Sequence, residues 1–301
     1  MAVTKYQLKK WFNKYVLKTV TGFRQGVGTV YSVDGIRGYY NDLREKVTDK
    51  PLREQELPLS YIDTGEQIYF SIGIMQYGLG CYDLYLLNND EKMKEKMFLC
   101  AEWAVENQQE NGGWKTFAHL YSDRPYSAMA QGEGISLLVR AYLESKNEKY
   151  LEAAQRAATF MLVPVEQGGV AVYKGEDLFL KEYTERPVVL NGWIFSLWGL
   201  LDYIKLTGDV QIKEAYERSM ATLERHLSHF DLGYWTRYDY SDRIAAPAYH
   251  KLHMDQLAVM YDLTGHEIYK TYLEKFQKYQ NSWLNRQRAF VIKAFQKLRG
   301  K

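Results

Sequence analysis

Four similar junctions recur along this chain, and their spacing constrains the fold more than any other sequence feature. At each junction an apolar segment ends at Asn or Gly, and a segment with the period of an amphipathic helix begins. The junctions span residues 86–97, 143–154, 204–215 and 261–272, and their aligned residues, Met93, Tyr150, Ile212 and Tyr269, follow at steps of 57, 62 and 57 residues. A repeat of this length accommodates two antiparallel helices and a loop, so the junctions predict four helical hairpins.

The segments on the two sides of the junctions differ in polarity. Those before the junctions are apolar on nearly every side, as buried inner helices are, whereas those after them carry charge on one face, as outer helices do. We predict inner helices over residues 67–87, 127–144, 188–206 and 250–263, and outer helices over residues 92–108, 149–162, 211–227 and 267–281.

Short Gly-containing loops follow three of the outer helices. They are NGGWKTF from Asn111, QGGVAVY from Gln167 and DLGYWTRY from Asp231, and glycine there permits tight turns into short extended segments. The pattern predicts an all-α fold, an α/α toroid in the form of an incomplete barrel of about four helical hairpins, with short β segments in the loops at its mouth. A straight solenoid is the alternative. We expect function at the mouth, where these loops meet.

The repeat also divides the chain. Residues 66–285 contain it and form the predicted toroid domain, residues 1–65 are predicted to be an irregular N-terminal arm that wraps over the toroid, and residues 286–301 a basic C-terminal helix or tail. The chain has neither the apolar core of a signal peptide nor a run of about 18 apolar residues, so no integral membrane segment is expected. These features predict a protein of the bacterial cytoplasm, with peripheral membrane association through the basic terminal segments left open.

Composition and missing motifs narrow the chemistry. The 39 basic and 37 acidic residues nearly cancel, so no nucleic-acid partner is expected. Cys81 and Cys100 lack metal-site spacing and are expected to be buried free thiols. No GxSxG, GxxxxGKS/T, GxGxxG or HExxH motif occurs, which disfavours a nucleophilic serine, a P-loop and a zincin. His250 and His253 form an isolated HxxH, which is too weak a pattern to predict a metal.

Polar side chains gather in three loops of the predicted mouth. The loop at 121–134 contains Tyr126 and Gln131, and the loop at 180–193 contains Glu182, Tyr183, Glu185, Arg186 and Asn191. The loop at 231–257 contains Tyr234, Trp235, Arg237, Tyr238, Tyr240, Arg243, Tyr249, His250, His253 and Asp255. Tyr, His, Glu and Arg around a cleft are the groups that general acid–base chemistry on a carboxylated sugar requires.

Several of these segments resemble the C-terminal catalytic domain of the D-glucuronyl C5-epimerases. The segments are IMQYGLGCYDL (74–84), FLCAEWAVENQQENGGW (98–114), YSAMAQGEGISLLVRAYL (126–143), KEYTERPVVLNGWIFSLWGLLD (181–202) and AYHKLHMDQLAVM (248–260). The similarity covers residues 66–285 in consistent order. It implies an anionic heparosan- or heparan-type polysaccharide substrate whose D-glucuronate is converted to L-iduronate, no redox cofactor, and a homodimer as one assembly known for the family.

The resemblance also implies site residues, which we carry over by matching motif positions. The family's Glu–Tyr pair falls on Glu182 and Tyr183. Its Tyr–Asp tyrosine falls on Tyr238 and its Tyr–His tyrosine on Tyr249, which completes the set of predicted catalytic residues. The predicted substrate-binding residues are chosen for their own chemistry and are not carried over from the family; they are Arg186, Arg243, Tyr126, Gln131, Gln76, Asn191, His250, Trp114 and Trp235. Of these, Trp114, Trp235 and Tyr126 are expected to stack on sugar rings, and Gln76 and Asn191 to bond hydroxyls.

Inversion at C5 needs a proton removed from one face of the sugar ring and another returned to the opposite face. We expect the three tyrosines to carry these protons. Arg186, Arg243 or a protonated Glu182 would stabilise the enolate, and His250 or the arginines would favour a tyrosinate.

The chain also departs from the family pattern. It lacks the large β-rich region that separates the QYGL segment from the toroid in animal enzymes, and its loop between Tyr238 and Tyr249 is shorter. A related bacterial capsule or exopolysaccharide is therefore an alternative substrate. A uronate polysaccharide lyase, a glycoside hydrolase that pairs Glu182 with Asp239 or Asp255, and a non-catalytic glycan-binding module are the alternative functions.

Overall fold

The computed structural model describes residues 25–49, 52–62 and 65–298. Its helices are α1 (Glu45–Thr48), α2 (Ser71–Asn88), α3 (Glu91–Glu106), α4 (Ala128–Ser145), α5 (Glu148–Met161), α6 (Leu190–Thr207), α7 (Val210–His226), α8 (Pro247–Thr264), α9 (Glu267–Asn281) and α10 (Trp283–Leu298). Its strands are β1 (Ser60–Tyr61), β2 (Gln67–Ile68), β3 (Ala171–Lys174) and β4 (Asp177–Leu180). The predicted fold class is confirmed, since the described residues are mostly helical with few short strands.

The four predicted junctions all join an inner helix to an outer one. Each inner helix ends at a residue in the left-handed region of backbone space, namely Asn89, Lys146, Gly208 and Gly265. At the first two junctions the next helix begins at an N-cap whose side chain accepts a backbone N–H, Asp90 from Lys92 and Asn147 from Lys149. Local capping chemistry therefore produces the repeat.

Burial separates the inner from the outer helices as predicted. In α4 every residue from Ala128 to Ala141 is buried. Its partner α5 buries one face, which includes Ala153, Ala154, Ala157 and Ala158. Helices α4 and α6 approach each other closely, because a Cβ added to Gly199 of α6 would lie 2.4 Å from Gly132 Cα of α4. Only glycine permits so close an approach of two inner helices.

The chain forms two compact units. The larger unit consists of Gly28–Val188 and Gly192–Leu223, and the described residues of the smaller unit are 25–27, Val189–Asn191 and 224–298. Cys81 and Cys100 are buried free thiols in the larger unit, as predicted. No helix among the described residues is long and apolar enough to cross a membrane.

The part of the predicted N-terminal arm that the structure describes packs on inner helices of the larger unit. Arg140 Nε of α4 donates to Gly38 O at 2.7 Å, and Tyr40 Oη donates to Asp202 Oδ1 of α6 at 2.8 Å. Arg140 and Asp202 also form a fully buried ion pair with Nη1 and Oδ2 2.6 Å apart. Residues 1–24 of the predicted arm and 299–301 of the predicted tail lie outside the described residues.

Short strands occupy some of the predicted extended segments. Strands β3 and β4 form an antiparallel hairpin in which Ala171 pairs with Leu180. Strand β2 pairs with β1 instead of continuing α2, so the prediction that the first inner helix begins at residue 67 is wrong by four residues. The cross-strand pairing of Gln67 with Tyr61 competes with helix formation at this end, and Phe70 adopts extended backbone.

Candidate functional site

Tyr183 lies in the loop after β4, within the larger unit. Its ring stacks on Phe117 with the ring centroids 4.2 Å apart and an interplanar angle of 20°. The guanidinium carbon of Arg186 lies 4.6 Å from the centroid of the Tyr183 ring, and Arg186 Nε donates to Tyr121 Oη at 2.7 Å. These contacts hold a fixed positive charge beside a half-buried phenol.

The Tyr183 loop is tied to the loop that precedes α4. The amide of Ala128 donates to Lys181 O at 2.9 Å, and Thr184 Oγ1 donates to Arg124 O at 2.8 Å. The two loops border an open depression of about 580 Å³, lined by Leu120, Tyr121, Ser122, Asp123, Arg124 and Glu185. Arg124 and Glu185 form an exposed ion pair there, with Nη1 and Oε1 3.2 Å apart.

Glu182, next to Tyr183, is 5% exposed. It packs against the first turn of α6, where a Cβ added to Gly192 would lie 2.5 Å from Glu182 Oε2. A glycine at this position therefore makes room for the carboxylate.

A second buried carboxyl group, that of Glu133 on α4, lies within electrostatic reach of Glu182. Glu133 Oε1 accepts a hydrogen bond from Gln76 Nε2 of α2 at 2.6 Å. Burial raises the pKa of Glu133 to about 8; Gln76 and Lys46 lower it, and the charge of Glu182 raises it. Glu133 is thus a neutral carboxylic acid at neutral pH, and it places a hydrogen-bonding group rather than a second charge near Glu182.

The smaller unit brings Tyr238 and Tyr249 together. Their ring centroids are 4.8 Å apart, with an edge-to-face angle of 66°. The guanidinium carbon of Arg243 lies 5.1 Å from the centroid of the Tyr238 ring. Arg243 is oriented by an ion pair in which its Nη2 lies 2.8 Å from Oδ2 of Asp239, a carboxylate that is 1% exposed.

Local structure explains this arrangement. The amide of Tyr238 donates to Arg243 O at 2.7 Å, which closes the loop between them and brings the guanidinium back over the ring. Tyr249 lies in the first turn of α8, which begins at Pro247, a residue that is preorganised for the first helical position.

Two buried histidines of α8, His250 and His253, contact Thr236, which lies just before Tyr238. Burial lowers the pKa of His250 and of His253 to about 3, so both rings are neutral. His250 Nε2 lies 3.2 Å from Phe276 O and must donate to it, so His250 Nδ1 accepts from Thr236 Oγ1 at 2.9 Å. Thr236 Oγ1 then accepts from His253 Nδ1 at 3.2 Å. This chain of hydrogen bonds fixes both tautomers.

Comparison with known protein families identifies the chain. A family model described as the D-glucuronyl C5-epimerase C-terminus matches residues 108–278, which is more than half of the sequence. The chain belongs to this family. The matched segment contains both tyrosine clusters described above.

Two curated proteins are similar to this member of the C5-epimerase C-terminus family. A D-glucuronyl C5-epimerase of Caenorhabditis elegans is 33% identical over 171 residues, which is 50% of this chain and 28% of that protein. An uncharacterised protein of Methanocaldococcus jannaschii is 31% identical over 157 residues, which is 50% of this chain and 51% of that protein. The chain thus spans about half or less of the length of the curated relatives it matches.

Among solved structures, the family member is similar to unsaturated glucuronyl hydrolases. The enzyme of Streptococcus agalactiae matches with a TM-score of 0.49 and 17% identity, over 69% of this chain and 57% of that one. The enzyme of Bacillus sp. GL1 matches with a TM-score of 0.48 and 11% identity, over 69% of this chain and 60% of that one.

For three of the predicted binding residues the structure contradicts a contact with substrate, because their side chains belong to the core. Trp114 is 1% exposed and its indole N–H donates to Ala104 O, so it offers no stacking face. Trp235 is fully buried and stacks on His250 with the ring centroids 3.7 Å apart. His250 uses both ring nitrogens inside the protein and is neutral, so it can neither bind a sugar nor supply a cation.

Gln131 and Gln76 are likewise placed inside the larger unit. Gln131 is fully buried; its Oε1 accepts from the amide of Trp114 and its Nε2 donates to Gly112 O, so it braces the NGGW turn instead of binding substrate. Gln76 is 4% exposed and bonds Glu133, so the structure corrects its predicted contact with a hydroxyl to a contact with a carboxyl group.

The remaining predicted binding residues occupy different environments. Tyr126 is half-buried, packs edge-on against Phe160 and accepts a hydrogen bond from Asn111 Nδ2 at 3.0 Å. Asn191 is 3% exposed and its backbone carbonyl accepts from Gln256 Nε2 at 3.0 Å. Its side-chain oxygen has no hydrogen-bond partner among the described residues.

Sequence reasoning missed Phe117, Tyr121, Thr236 and Glu133. Phe117 and Tyr121 lie far from Tyr183 in the chain, and nothing in the sequence pairs them with it. Glu133 could have been found, because a glutamate inside the otherwise apolar inner helix AMAQGEGISLLV is a buried carboxyl group, and such groups cluster at functional sites.

Proposed function

We propose that this protein inverts C5 of D-glucuronate residues in a heparosan- or heparan-like polysaccharide and so produces L-iduronate. Membership of the D-glucuronyl C5-epimerase family supports this proposal. The observation that carries it is the grouping of Tyr238, Tyr249 and Arg243, since this places two phenols that match the family's motifs together with a fixed cation.

The proposed reaction is a proton exchange without a redox cofactor. A tyrosinate takes the proton from C5, and the electron pair of the C–H bond moves into the C6 carboxyl group as an enolate. A tyrosine on the opposite face of the sugar returns a proton to C5, and the electron pair moves back. Atoms and electrons balance, because one proton leaves and one arrives.

The barrier to this exchange is the negative charge that develops on the C6 carboxyl group. Arg243 is the group proposed to stabilise it, since its guanidinium lies beside Tyr238. Arg186, whose guanidinium lies beside Tyr183, is the alternative candidate for this role. Asp239 holds Arg243 in place through its ion pair, so the charge is preorganised before substrate binds. Tyr183 and Glu182 of the larger unit, which also match the family's motifs, are further candidates for acid–base groups.

The test is incubation with heparosan and with N-sulfated heparosan in D₂O, followed by NMR of the C5 position. Deuterium at C5 with iduronate signals and no chain cleavage would support the proposal. An unsaturated product that absorbs in the ultraviolet would identify a lyase, and new reducing ends would identify a hydrolase. Binding of both polymers without exchange would identify a non-catalytic module or a different uronate polymer.

Matched variants on α8 assign the exchange to this site. Tyr249→Phe is expected to lower the exchange rate by about 100-fold or more, the usual size of a general acid–base contribution. Tyr261→Phe is the control, because Tyr261 lies on the same helix and its hydroxyl donates to Glu267 Oε1 at 3.1 Å at the surface. Equal loss in both variants would show that the effect comes from the helix and not from the phenol at position 249.

A further inference from the structure

Helix α10 follows the last of the four helical hairpins. One of its faces, called here the inner face, packs against the loop that contains Tyr238. Gln296 Oε1 accepts from the amide of Ile244 at 3.1 Å, and Lys293 Nζ donates to Ile244 O at 2.9 Å. Phe290 and Ile292 pack against the buried cluster formed by Tyr234, Trp235, Ile244 and Ala289. The orientation of the helix about its axis is therefore set by its inner face.

The opposite face of α10 is apolar and exposed. Leu284, Val291, Phe295 and Leu298 recur at the spacing that places them on one face of a helix, and Trp283 lies at its start. These five side chains are 47–71% exposed. Within the part of the chain that the structure describes, five of the thirteen exposed large apolar side chains lie on this one helix. We call these five residues the α10 stripe.

The charge of the sequence segment that contains the α10 stripe has one sign. Residues 283–301 contain six basic residues, Arg286, Arg288, Lys293, Lys297, Arg299 and Lys301, and no acidic residue. Arg288 and Lys297 are exposed. Arg288 lies beside the stripe at its helical position, with its guanidinium carbon 3.9 Å from the centroid of the Tyr234 ring, whereas Lys297 lies roughly 130° around the helix from the stripe. Exposed Trp, Phe and Leu next to Lys and Arg are typical of helices that lie in the interface of an anionic membrane.

We propose that the α10 stripe docks the protein on an anionic lipid bilayer. The apolar side chains would enter the acyl boundary while the exposed basic residues of the segment, of which Arg288 lies nearest to the stripe, meet the lipid phosphates. A second copy of the chain fits this face less well, because a two-fold contact between stripes would bring the flanking cations together with no acidic residue on either helix to pair with them. The proposal does not rest on the proposed reaction.

Co-sedimentation with phosphatidylcholine vesicles, with and without phosphatidylglycerol, tests the proposal on the full chain. We expect binding only to the vesicles that contain phosphatidylglycerol, and weaker binding at high salt. The double variant Leu284→Glu/Val291→Glu is expected to need about tenfold more lipid for half binding, or to lose binding altogether, because it puts two acids on the inserting face.

The matched control is Leu87→Glu/Val210→Glu. It makes the same two substitutions at exposed positions, 44% and 67% exposed, away from α10. It carries the same charge, so it separates loss of the stripe from a change in net charge, and we expect its binding to stay within about twofold of wild type.

Three results would overturn the proposal. One is no binding to anionic vesicles at low salt, and another is equal loss of binding in the two double variants. The third is a dimer in light scattering that Leu284→Glu/Val291→Glu converts to a monomer without any vesicle binding, which would make the stripe a self-interface. Because the substituted side chains are exposed and lie on the face of α10 opposite the Tyr238 loop, a thermal midpoint close to that of the wild type serves as the folding check.

Discussion

Replacing Glu133 by Gln is expected to make the free energy of unfolding less dependent on pH. Glu133 is buried, and its pKa is raised from the ordinary value of 4.5 to about 8. Between these two values the folded protein keeps a proton that the unfolded chain releases. Ionisation therefore favours the unfolded chain as the pH rises, and the stability present below pH 4.5 is lost on the way to pH 8. Glutamine cannot ionise, so Glu133→Gln abolishes this loss.

The size of the effect follows from the two pKa values. Each pKa unit corresponds to roughly 1.4 kcal/mol of unfolding free energy. The wild type therefore loses at most about 3 kcal/mol by pH 7, and the loss levels off at about 5 kcal/mol above pH 8. The amide keeps an acceptor for Gln76 Nε2, so the 2.6 Å hydrogen bond can persist. Any packing cost of the new NH₂ group is the same at every pH. The change with pH of the difference in unfolding free energy between the two proteins therefore reports the ionisation of Glu133 alone.

Urea unfolding of the wild type and of Glu133→Gln at intervals from pH 5 to pH 9 measures this difference. We expect the variant to gain stability relative to the wild type as the pH rises to about 8, and no further gain above it. Asp83, whose pKa burial also raises to about 8, is present in both proteins and cancels. A difference that does not change with pH, or one that falls as the pH rises, would refute the assignment of a neutral Glu133.

Three further predictions follow from the site. Gly192→Ala should lower kcat about tenfold or more, because the new Cβ would lie 2.5 Å from Glu182 Oε2 and displace the carboxylate; an unchanged kcat would contradict a role for Glu182. Arg243→Gln should lower the free energy of unfolding by about 1–3 kcal/mol, because it strands the buried Asp239, and adding Asp239→Asn should recover most of the loss in urea titrations. Burial lowers the pKa of His253 from 6.5 to about 3, so stability is lost as the pH falls below 6.5; His253→Gln should weaken this dependence of the thermal midpoint, and identical profiles would refute it.

The sequence alone determined the hairpin repeat, because the signals that make it are local. Asn89 and Gly265 end inner helices in left-handed backbone, and Asp90 caps the helix that follows, each through contacts within a few residues. The difference in polarity between α4 and α5 is also visible in their own residues, so the inner and outer helices could be predicted to within a few residues.

The cluster of Tyr238, Tyr249 and Arg243 in the smaller unit could be predicted in part. Matching motifs picked out Tyr238 and Tyr249, and the structure places their rings 4.8 Å apart. The loop from Tyr238 to Arg243 is short, so the arginine's return to the ring follows from nearby residues. The sequence suggests Asp239 only as one carboxylate of a hydrolase pair, whereas in the fold its Oδ2 lies 2.8 Å from Arg243 Nη2.

Only the tertiary structure decided which aromatic and polar side chains face solvent. Trp114, Trp235 and His250 lie in segments rich in functional residue types, yet each is at most 1% exposed, and their polar atoms bond within the protein. The pKa of Glu133 likewise depends on its burial and on Gln76 and Glu182, which come from other segments of the chain. The burial of a side chain and its distance from other charges depend on residues that are remote in sequence. Local sequence patterns therefore do not contain this information.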